Sequence, residues 1–404
     1  MNILRYALGL CLATMMSAAQ AASQEIRALF QPDPSQPSKN VFINKTPVSG
    51  YCASHVSECA DNNMFSLQLP IRFNAQRPLV PMDYIQIRVP ASWRQLTVTN
   101  SETGETETVE VRITGIGSNY VLSDAATEIT GEADNLDAHR KLWVENSWVN
   151  APPPCQYSGM GFLTPKTYQF FWKTPQEGAC TKTTAYAISH MSMDYLDFAY
   201  ELRTPNPLRM SSGLYTGSMA YSIGPASDFD LGSFIQPDDS VLNLDFVLDV
   251  QHTLKVDLPP GGNKVLLEPE GGWMRWIDSG RQPTRIFRDQ LFYISASSRF
   301  KVMLLCNSTG GTRCKLGSPR GNVTEVETFL TLPAGINGPG GGAVNLQQLL
   351  YNTWVGPFQP GFYVDRKAGS LRFEMPRDAI DFLMRPGFTD TLSGNITVIW
   401  DSDV

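Results

Sequence analysis

The chain has 404 residues, of which 18% are charged and 10% aromatic, and its formal net charge at pH 7 is −7. An acidic chain without clusters of lysine and arginine disfavours nucleic acids and anionic membranes as partners. The aromatic content is sufficient for the hydrophobic cores of two domains.

Residues 1–21 are predicted to be a signal peptide. Arg5 supplies a positive start, and residues 6–16 form an apolar core that is too short to span a bilayer. The small residues of Ala19-Gln20-Ala21 fit a cleavage site. We therefore expect cleavage after Ala21 and export of the remaining chain.

Six of the seven cysteines follow the predicted cleavage site, because Cys11 leaves with the signal peptide. An even number of cysteines in an exported chain predicts three disulfides. Among the fifteen possible connectivities we favour pairing of nearest neighbours, which closes three local loops. Histidine is scarce and the cysteine spacings match no zinc ribbon, so metal binding is disfavoured. The expected pairs are Cys52–Cys59, Cys155–Cys180 and Cys306–Cys314.

Most periodic segments alternate apolar and polar residues, which is typical of half-buried strands. They are short and separated by turn residues, as in β-sandwiches, and the βαβ alternation of doubly wound enzymes is missing. Helical patterns are few and lie at 134–146, 344–354 and 377–384. The predicted strands include 65–73, 84–90, 107–116, 291–297, 299–305, 370–376 and 395–400.

Residues 241–259 continue this alternation without a turn. At about 3.3 Å per residue the segment would extend roughly 60 Å, several times the usual length of a strand. We interpret it as a strand that completes one sandwich and begins the next, with Val250, Gln251 and His252 as the hinge. The expected domains are 22–250 and 251–404.

Sequence motifs of catalysis are missing. Neither Gly-x-Ser-x-Gly nor His-Glu-x-x-His occurs, and the four histidines are widely spaced. Asp228 and Asp230 are a pair of carboxylates that leaves a glycosidase open as an alternative. The glycine run 338–343 lacks a βαβ context, so it is predicted to be a loop.

Sugar-binding sites need exposed aromatic side chains among polar groups. The densest such segment is 137–150, and a second is the loop between Cys52 and Cys59, which would hold His55 rigidly. Both segments have a structural alternative that stays open. The tryptophans of 137–150 can belong to the hydrophobic core, and the Cys52–Cys59 disulfide can serve only to stabilise the fold. The candidate receptor-binding residues are His55, Arg140, Lys141, Trp143, Asn146 and Trp148.

The layout resembles that of two-domain tip adhesins of chaperone–usher pili, of the class 5 (colonisation factor) type. The resemblance rests on the strand 241–259, on the Gly213-x-Tyr215-x-Gly217 strand start, and on the alternating last strand that Gly394 precedes. It implies an all-β chain with two immunoglobulin-like β-sandwich domains in tandem. The C-terminal one is expected to be an incomplete pilin sandwich that lacks its last strand.

In this family another protein's strand fills the resulting groove. A periplasmic chaperone supplies it first, and the adjacent pilus subunit then supplies it at the outer-membrane usher. Four residues follow Trp400, too few for a further strand. Residues 22–40 carry one short apolar patch and three prolines, which disfavours a donor arm and implies a place at the pilus tip on the cell surface. The implied groove residues are Leu254, Val256, Leu258, Ile396, Val398 and Trp400.

The implied function is non-covalent adhesion to a host glycan or glycoprotein, without catalysis, cofactor or metal. One departure concerns the arginine cluster that binds receptors in this family. Residues 220–232 are acidic and contain no arginine pair, so those binding residues are not carried over. The alternatives are a minor structural or initiator pilus subunit without receptor specificity and, third, an exported carbohydrate-active enzyme.

Overall fold

The structure is a computed structural model that describes residues 22–402, so the predicted signal peptide lies outside the described residues. Within this range the chain is mostly β, and its curled sheets form two β-sandwiches, as the sequence predicts. No helix in the described range combines the length and apolar character that crossing a membrane requires.

The first sandwich has fifteen strands and four short helices between residues 22 and 250. Its core extends from Ile26 to Val250. The elements are β1 (Ala22–Phe30), β2 (Ile43–Asn44), α1 (Tyr51–Ser54), α2 (Val56–Asp61), β3 (Phe65–Leu69), β4 (Phe73–Ala75), β5 (Tyr84–Ile87), β6 (Arg94–Asn100), β7 (Thr106–Leu122), α3 (Ala126–Thr130), α4 (Asn135–Lys141), β8 (Gln156–Leu163), β9 (Thr167–Lys173), β10 (Cys180–Thr183), β11 (Met191–Met193), β12 (Leu196–Arg203), a 3₁₀ turn (Pro207–Arg209), β13 (Gly213–Ser222), β14 (Ile235–Pro237) and β15 (Val241–Val250).

The second sandwich has twelve strands and two short helices between residues 254 and 402. Its core is separate from the first and extends from Phe292 to Leu371. The elements are β16 (Leu254–Asp257), β17 (Glu268–Pro269), α5 (Trp273–Ser279), β18 (Ile286–Ala296), β19 (Phe300–Cys306), β20 (Thr309–Gly310), β21 (Arg313–Gly317), β22 (Val323–Thr331), β23 (Ile336–Asn337), β24 (Gln347–Leu349), β25 (Trp354–Pro360), β26 (Val364–Glu374), α6 (Arg377–Leu383) and β27 (Ile396–Ser402).

Strand β7 organises the first sandwich. Its 17 residues pair with β6 at the start, with β12 in the middle, and with β9 and β11 at the end. Val109, Val111 and Ile113 are fully buried, so the strand follows the period of two that the sequence shows. One long strand therefore contributes to the whole length of the core.

Strand β1 lies inside the first sandwich. It pairs in parallel with β15 over all nine residues, with Ala22 opposite Leu242 and Phe30 opposite Val250. Ile26 and Phe30 are each 1% exposed. Residues 22–30, for which the sequence disfavours a role as donor arm, thus belong to the chain's own sheet and core.

The long alternating segment is interrupted between β15 and β16, at residues 251–253, which include Gln251 and His252 of the predicted hinge, whereas Val250 ends β15. The Nε2 atom of His252 lies 2.9 Å from the carbonyl oxygen of Met210, and its Nδ1 atom lies 3.1 Å from Ser297 Oγ. The backbone N–H of Thr253 donates to the same hydroxyl. Burial lowers the pKa of His252. Hydrogen bonds to both sandwiches therefore hold this short connection.

The structure explains why glycine occupies positions 213 and 217 of the predicted strand start. Gly213 begins β13 with a φ of 123°, a backbone conformation that favours glycine. A Cβ atom at Gly217 would lie 2.4 Å from the carbonyl oxygen of Thr97 on the neighbouring strand. Tyr215 between them is buried, and its hydroxyl donates to Glu105. This motif therefore permits close strand packing.

The helix predicted at 344–354 is wrong. The segment contains β24, which pairs with β22, and the first residue of β25. Leu346 and Asn352 have positive φ values of 50° and 52°, which interrupt a helix. Strand pairing with a distant segment outweighs the local helical pattern here. The helices predicted at 134–146 and 377–384 are confirmed in part, as α4 and α6.

The three disulfides are those expected from nearest-neighbour pairing. Cys52 is bonded to Cys59, Cys155 to Cys180, and Cys306 to Cys314. Each bridge lies within one sandwich, so no disulfide of the described residues connects the two.

Asp197 is an unusual buried carboxylate beneath α1. Its side chain is 2% exposed, Oδ2 accepts a hydrogen bond of 2.8 Å from the backbone N–H of Tyr51, and Oδ1 has no partner among the described residues. A Cβ atom at Gly50 would lie 2.3 Å from this carboxylate. Burial raises the pKa of Asp197 to about 7.

Because the pKa of Asp197 is raised, we expect the first sandwich to be more stable at acidic pH than at neutral pH. Between the ordinary Asp pKa of about 3.9 and the raised value, the folded state binds the extra proton, so stability falls as pH rises. The slope contributed by Asp197 is at most about 1.4 kcal/mol per pH unit. The variant Asp197→Asn should lose this slope in urea unfolding between pH 4 and 8. The control Asp194→Asn, at an exposed position, should retain it. Equal slopes in both variants would contradict the assignment.

Candidate functional site

Strands β16 and β27 each have one unpaired edge. Strand β16 pairs with β18, and β27 pairs with β19, both antiparallel. In residues 22–402 no other strand pairs with either of them. Each therefore presents a row of backbone N–H and C=O groups that a further strand can bond.

The two edges belong to different sheets that enclose one core. The ring of Trp400, on β27, lies 5.1 Å from that of Phe292 on β18 and 5.9 Å from that of Phe300 on β19. Leu254 and Val256 of β16 pack against the same cluster. The space between the edges is therefore a groove over the second core.

The side chains that line this groove are apolar and incompletely covered. Leu254, Val256, Ile396, Val398 and Trp400 are all half-buried, although they pack on the core. In β15, which pairs on both sides, every second side chain is 2% exposed or less. Partial burial of alternating apolar residues is expected where a neighbouring strand has not been added.

Leu258 does not belong to the groove strand, which corrects its predicted role. Strand β16 ends at Asp257, and the side chain of Leu258 is 49% exposed. Pro259 and Pro260 follow directly, and a proline has no N–H to donate to a sheet. The predicted strand is therefore shortened at this end.

The groove widens into a cavity of about 1030 Å³ beside the start of β27. Leu266, Leu267 and Trp273 line one side, and Ile396 and Thr397 line the other. Among its polar groups is the Asp390 carboxylate, whose pKa is lowered by hydrogen bonds from Asn322 and Ser318. The cavity offers space for a large apolar side chain.

Helix α5 adds an apolar surface at this end, which the sequence reading did not single out. Trp273, Met274 and Ile277 are 43%, 68% and 69% exposed, and no residue of the helix is buried. Leu266 beside it is 70% exposed. A continuous apolar area of this kind is typical of a protein-binding surface.

Trp143 and Trp148 lie in the first core, which corrects the expectation that they face a receptor. They are 2% and 0% exposed, and their rings are 5.1 Å apart. The indole N–H of Trp143 donates to Tyr120 Oη at 3.3 Å. The ring of Trp148 also stacks on Trp172. The structural alternative therefore holds for both tryptophans.

The polar residues of the same segment remain at the surface. Arg140, Lys141 and Asn146 are exposed, and the first two form ion pairs with Asp137 and Glu132. These pairs engage the two cations, so the segment shows no free cationic cluster for a receptor.

Lys182 is a structural residue that the sequence reading missed. Its side chain is fully buried, and its ammonium group donates to the carbonyl oxygens of Glu145, Asn146 and Ser147 at 3.0–3.1 Å. Burial lowers the pKa of Lys182 to about 8. A buried lysine has no distinctive spacing in a sequence, so this clamp on the loop could not be recognised.

His55 lies at the end of a column of three rings. It stacks on Tyr51 at 4.3 Å, and Tyr51 stacks on the buried ring of Phe171 at 4.1 Å. Its Nδ1 atom is 3.1 Å from the carbonyl oxygen of Tyr51. The Cys52–Cys59 bridge closes the loop around it. Stacking, a hydrogen-bonding contact and the nearby disulfide therefore all restrain the half-buried imidazole.

An ion pair lies beside His55. Lys173 Nζ is 2.7 Å from Glu58 Oε1, and hydrogen bonding to Lys173 lowers the pKa of Glu58. No hydrogen bond, ion pair or ring contact within residues 22–402 connects His55 with the segment 140–148. The candidate residues thus do not form one site. Within the described residues no group of three or more His, Cys, Asp or Glu could hold a metal ion.

The comparisons with known proteins rest on solved structures. No family model matches the sequence, and no curated protein matches it. The matched structures include the adhesive subunit CfaE of the CFA/I fimbria of enterotoxigenic Escherichia coli, at 8% identity and a TM-score of 0.28. This match covers 95% of this chain and 94% of CfaE.

Two further matches are complexes of a chaperone with a tip subunit. The complex from CFA/I fimbriae matches at 9% identity and a TM-score of 0.25, over 95% of this chain and 97% of the other. The CsuC–CsuE complex from the archaic Csu pili of Acinetobacter baumannii matches at 10% identity and a TM-score of 0.23. This match covers 94% of this chain and 98% of the other. At these values no residue-by-residue correspondence follows, so functional residues are taken from this chain alone.

The open groove predicts a characteristic pattern of amide hydrogen exchange. In an antiparallel pair about every second residue of a strand directs its N–H to a given neighbour. About half of the β27 amides should therefore exchange rapidly, whereas amides of β26, which pairs on both sides, should be protected. Mass spectrometry or NMR of the full chain measures both sets. Uniform protection along β27 would show that its second edge is covered.

Proposed function

We propose that this protein is the tip adhesin of a chaperone–usher pilus. Its C-terminal domain, 251–404, accepts a strand from another protein between β16 and β27. Its N-terminal domain, 22–250, binds a receptor on a host surface. The observation that supports this proposal is the pair of unpaired edges above half-buried apolar side chains.

An extended strand matches both features of the groove. Its backbone bonds the free N–H and C=O groups, and alternate side chains fill the space between Val256 and Val398. A helix would leave the strand edges unbonded, and buried polar backbone groups without partners are costly. We therefore assign the groove to donor-strand binding.

An exported subunit with this groove requires a partner before assembly. Exposed apolar surface and free strand edges promote aggregation, so a periplasmic chaperone covers the groove first. The adjacent pilus subunit then replaces the chaperone strand permanently at the outer-membrane usher. The final location is the pilus tip on the cell surface.

The arrangement of β1 supports the proposed position at the tip. A subunit within the shaft donates a strand to its neighbour as well as accepting one. Here residues 22–30 pair within the first sandwich, and Ile26 and Phe30 fill its core. Withdrawing them would expose that core. A subunit that accepts a strand and keeps its own terminal strand ends the fibre.

The receptor site is assigned to the disulfide loop that carries His55. Trp143 and Trp148 lie in the core, whereas His55, the third ring of the candidate set, is only half-buried. The neighbouring Glu58–Lys173 pair supplies polar groups for the hydroxyls of a sugar. The ligand is a host glycan, free or on a glycoprotein, bound non-covalently without catalysis, cofactor or metal.

The groove is tested by placing a charge in it. Val398→Asp should abolish co-purification of the full chain with a co-expressed pilus chaperone, because an unpaired buried carboxylate is strongly unfavourable. Thr353→Asp is the control, since Thr353 is exposed in the second sandwich and does not line the cavity beside the groove. Capture of both variants in equal yield would contradict the assignment, as would a stable monomer recovered from the periplasm without any chaperone.

The receptor site is tested on a glycan array with the full chain in its chaperone complex. His55→Ala should weaken binding roughly threefold to tenfold, since an aromatic contact contributes about 0.5–1.5 kcal/mol. His190→Ala, at an exposed position, should have no effect. Unchanged binding by His55→Ala would refute this site. Absence of any bound glycan would favour a structural or initiator subunit, and turnover of a bound sugar would favour an enzyme.

A further inference from the structure

Asp239 lies where β1 and β15 begin side by side. Because the two strands are parallel, their N-terminal ends meet at the same edge, with Ala22 opposite Leu242. Asp239 Oδ2 accepts a hydrogen bond of 2.7 Å from the backbone nitrogen of Ala22. Its Oδ1 atom accepts one of 3.1 Å from the backbone N–H of Val241. One carboxylate thus binds the start of both strands.

This carboxylate lacks a cationic side-chain partner. Asp239 is half-buried, and its hydrogen bonds come from the backbone nitrogens of Ala22 and Val241. No lysine, arginine or histidine of residues 22–402 forms an ion pair with it. Other carboxylates of the first sandwich, such as Asp83 and Glu201, are paired with arginines. A partly desolvated carboxylate is stabilised most by a charged donor.

Processing of the chain supplies such a donor at the right atom. Hydrolysis of the peptide bond between Ala21 and Ala22 consumes one water, leaves a carboxylate on Ala21, and frees the amino group of Ala22. At neutral pH this amino group is mostly protonated, since its ordinary pKa is about 7.7–8.0. The nitrogen that already donates to Asp239 then carries a positive charge.

We infer that the α-ammonium group of Ala22, released by leader peptidase, is a structural cation that pairs with Asp239 and completes the first sandwich. The leader is then an obstacle to the final fold as well as an export signal. An amino terminus extended by one residue would move the charge by about 3.8 Å and leave an amide in its place.

The ion pair has consequences along the whole of β1. This strand supplies Ile26, Ala28 and Phe30 to the core. The ring of Phe30 lies 5.5 Å from the imidazole of His252, in the connection between the sandwiches. Anchoring Ala22 at one end sets the register of these residues against β15. This inference does not depend on the adhesive function, because it concerns folding of residues 22–250.

The experiment measures the pKa of the Ala22 amine directly. The full chain is exported with its leader and isolated, with the co-expressed chaperone bound where this improves recovery. Brief acylation with an amine reagent at pH 6.5–9.5, followed by digestion and mass spectrometry, gives the rate at the peptide that begins with Ala22. Acylation requires the neutral amine, so the pH profile reports its pKa.

The variants separate the ion pair from other effects. In the native chain we expect the midpoint of the acylation pH profile to lie about one pH unit above the midpoint for the same chain in urea. At pH 7 the Ala22 amine of the native chain should therefore be acylated about tenfold more slowly than in urea. Asp239→Asn should remove this difference. Asp238→Asn is the matched control, because Asp238 is exposed and accepts from the backbone of Arg72. It should behave like the parent chain.

Several results would overturn the inference. A mature chain that begins at a residue other than Ala22, or that retains its leader, would do so. A native midpoint equal to or below that in urea would also do so, because burial without an ion pair lowers the pKa of an amine. This comparison uses the parent chain alone, so it decides the question even where Asp239→Asn fails to fold.

Discussion

The structural constraint on which the rest of this protein depends is the pair of unpaired strand edges in its second sandwich. Strands β16 and β27 are each bonded on one side, and the side chains between them cover the core incompletely. In the proposed function, an extended segment of another protein bonds these edge groups and covers the alternating apolar side chains. The cavity beside Ile396 and the exposed face of α5 extend the same apolar surface. On that proposal, the stability of the second sandwich is linked to a partner protein.

The contrast between β15 and β16 shows how one sequence pattern has two outcomes. Both strands come from one alternating segment, which is interrupted at residues 251–253. Strand β15 lies between β13 and β1, and its inward side chains are fully buried. Strand β16 pairs with β18 alone, so Leu254 and Val256 are half-buried. The first sandwich includes the chain's own β1 as a central strand, whereas β16 and β27 of the second each pair with a single strand of residues 22–402.

Local pattern predicted much of the architecture and part of the site. The period of two, the turn residues and the even number of cysteines were sufficient for the fold class, most strands and the number of disulfides, whereas the pairing of the cysteines was a choice among fifteen. Val256, Val398 and Trp400 are half-buried and pack on the second core, whereas their role in binding a donor strand stays a prediction. Trp143 and Trp148 were not placed correctly, because an aromatic residue beside polar ones has the same local pattern in a core and in a binding site. The helix expected at 344–354 failed because β22 pairs with this segment.

The sequence by itself determined which residues alternate, where the chain turns, and that a continuous strand pattern connects two sandwiches, because these properties depend on neighbours along the chain. Tertiary structure alone decided which strand edges stay unpaired and that β1 lies beside β15. It also decided that Asp197 and Lys182 are buried and that Asp239 meets the backbone of Ala22. These properties depend on residues that are distant in sequence, and a local pattern carries no information about which distant segment will cover it.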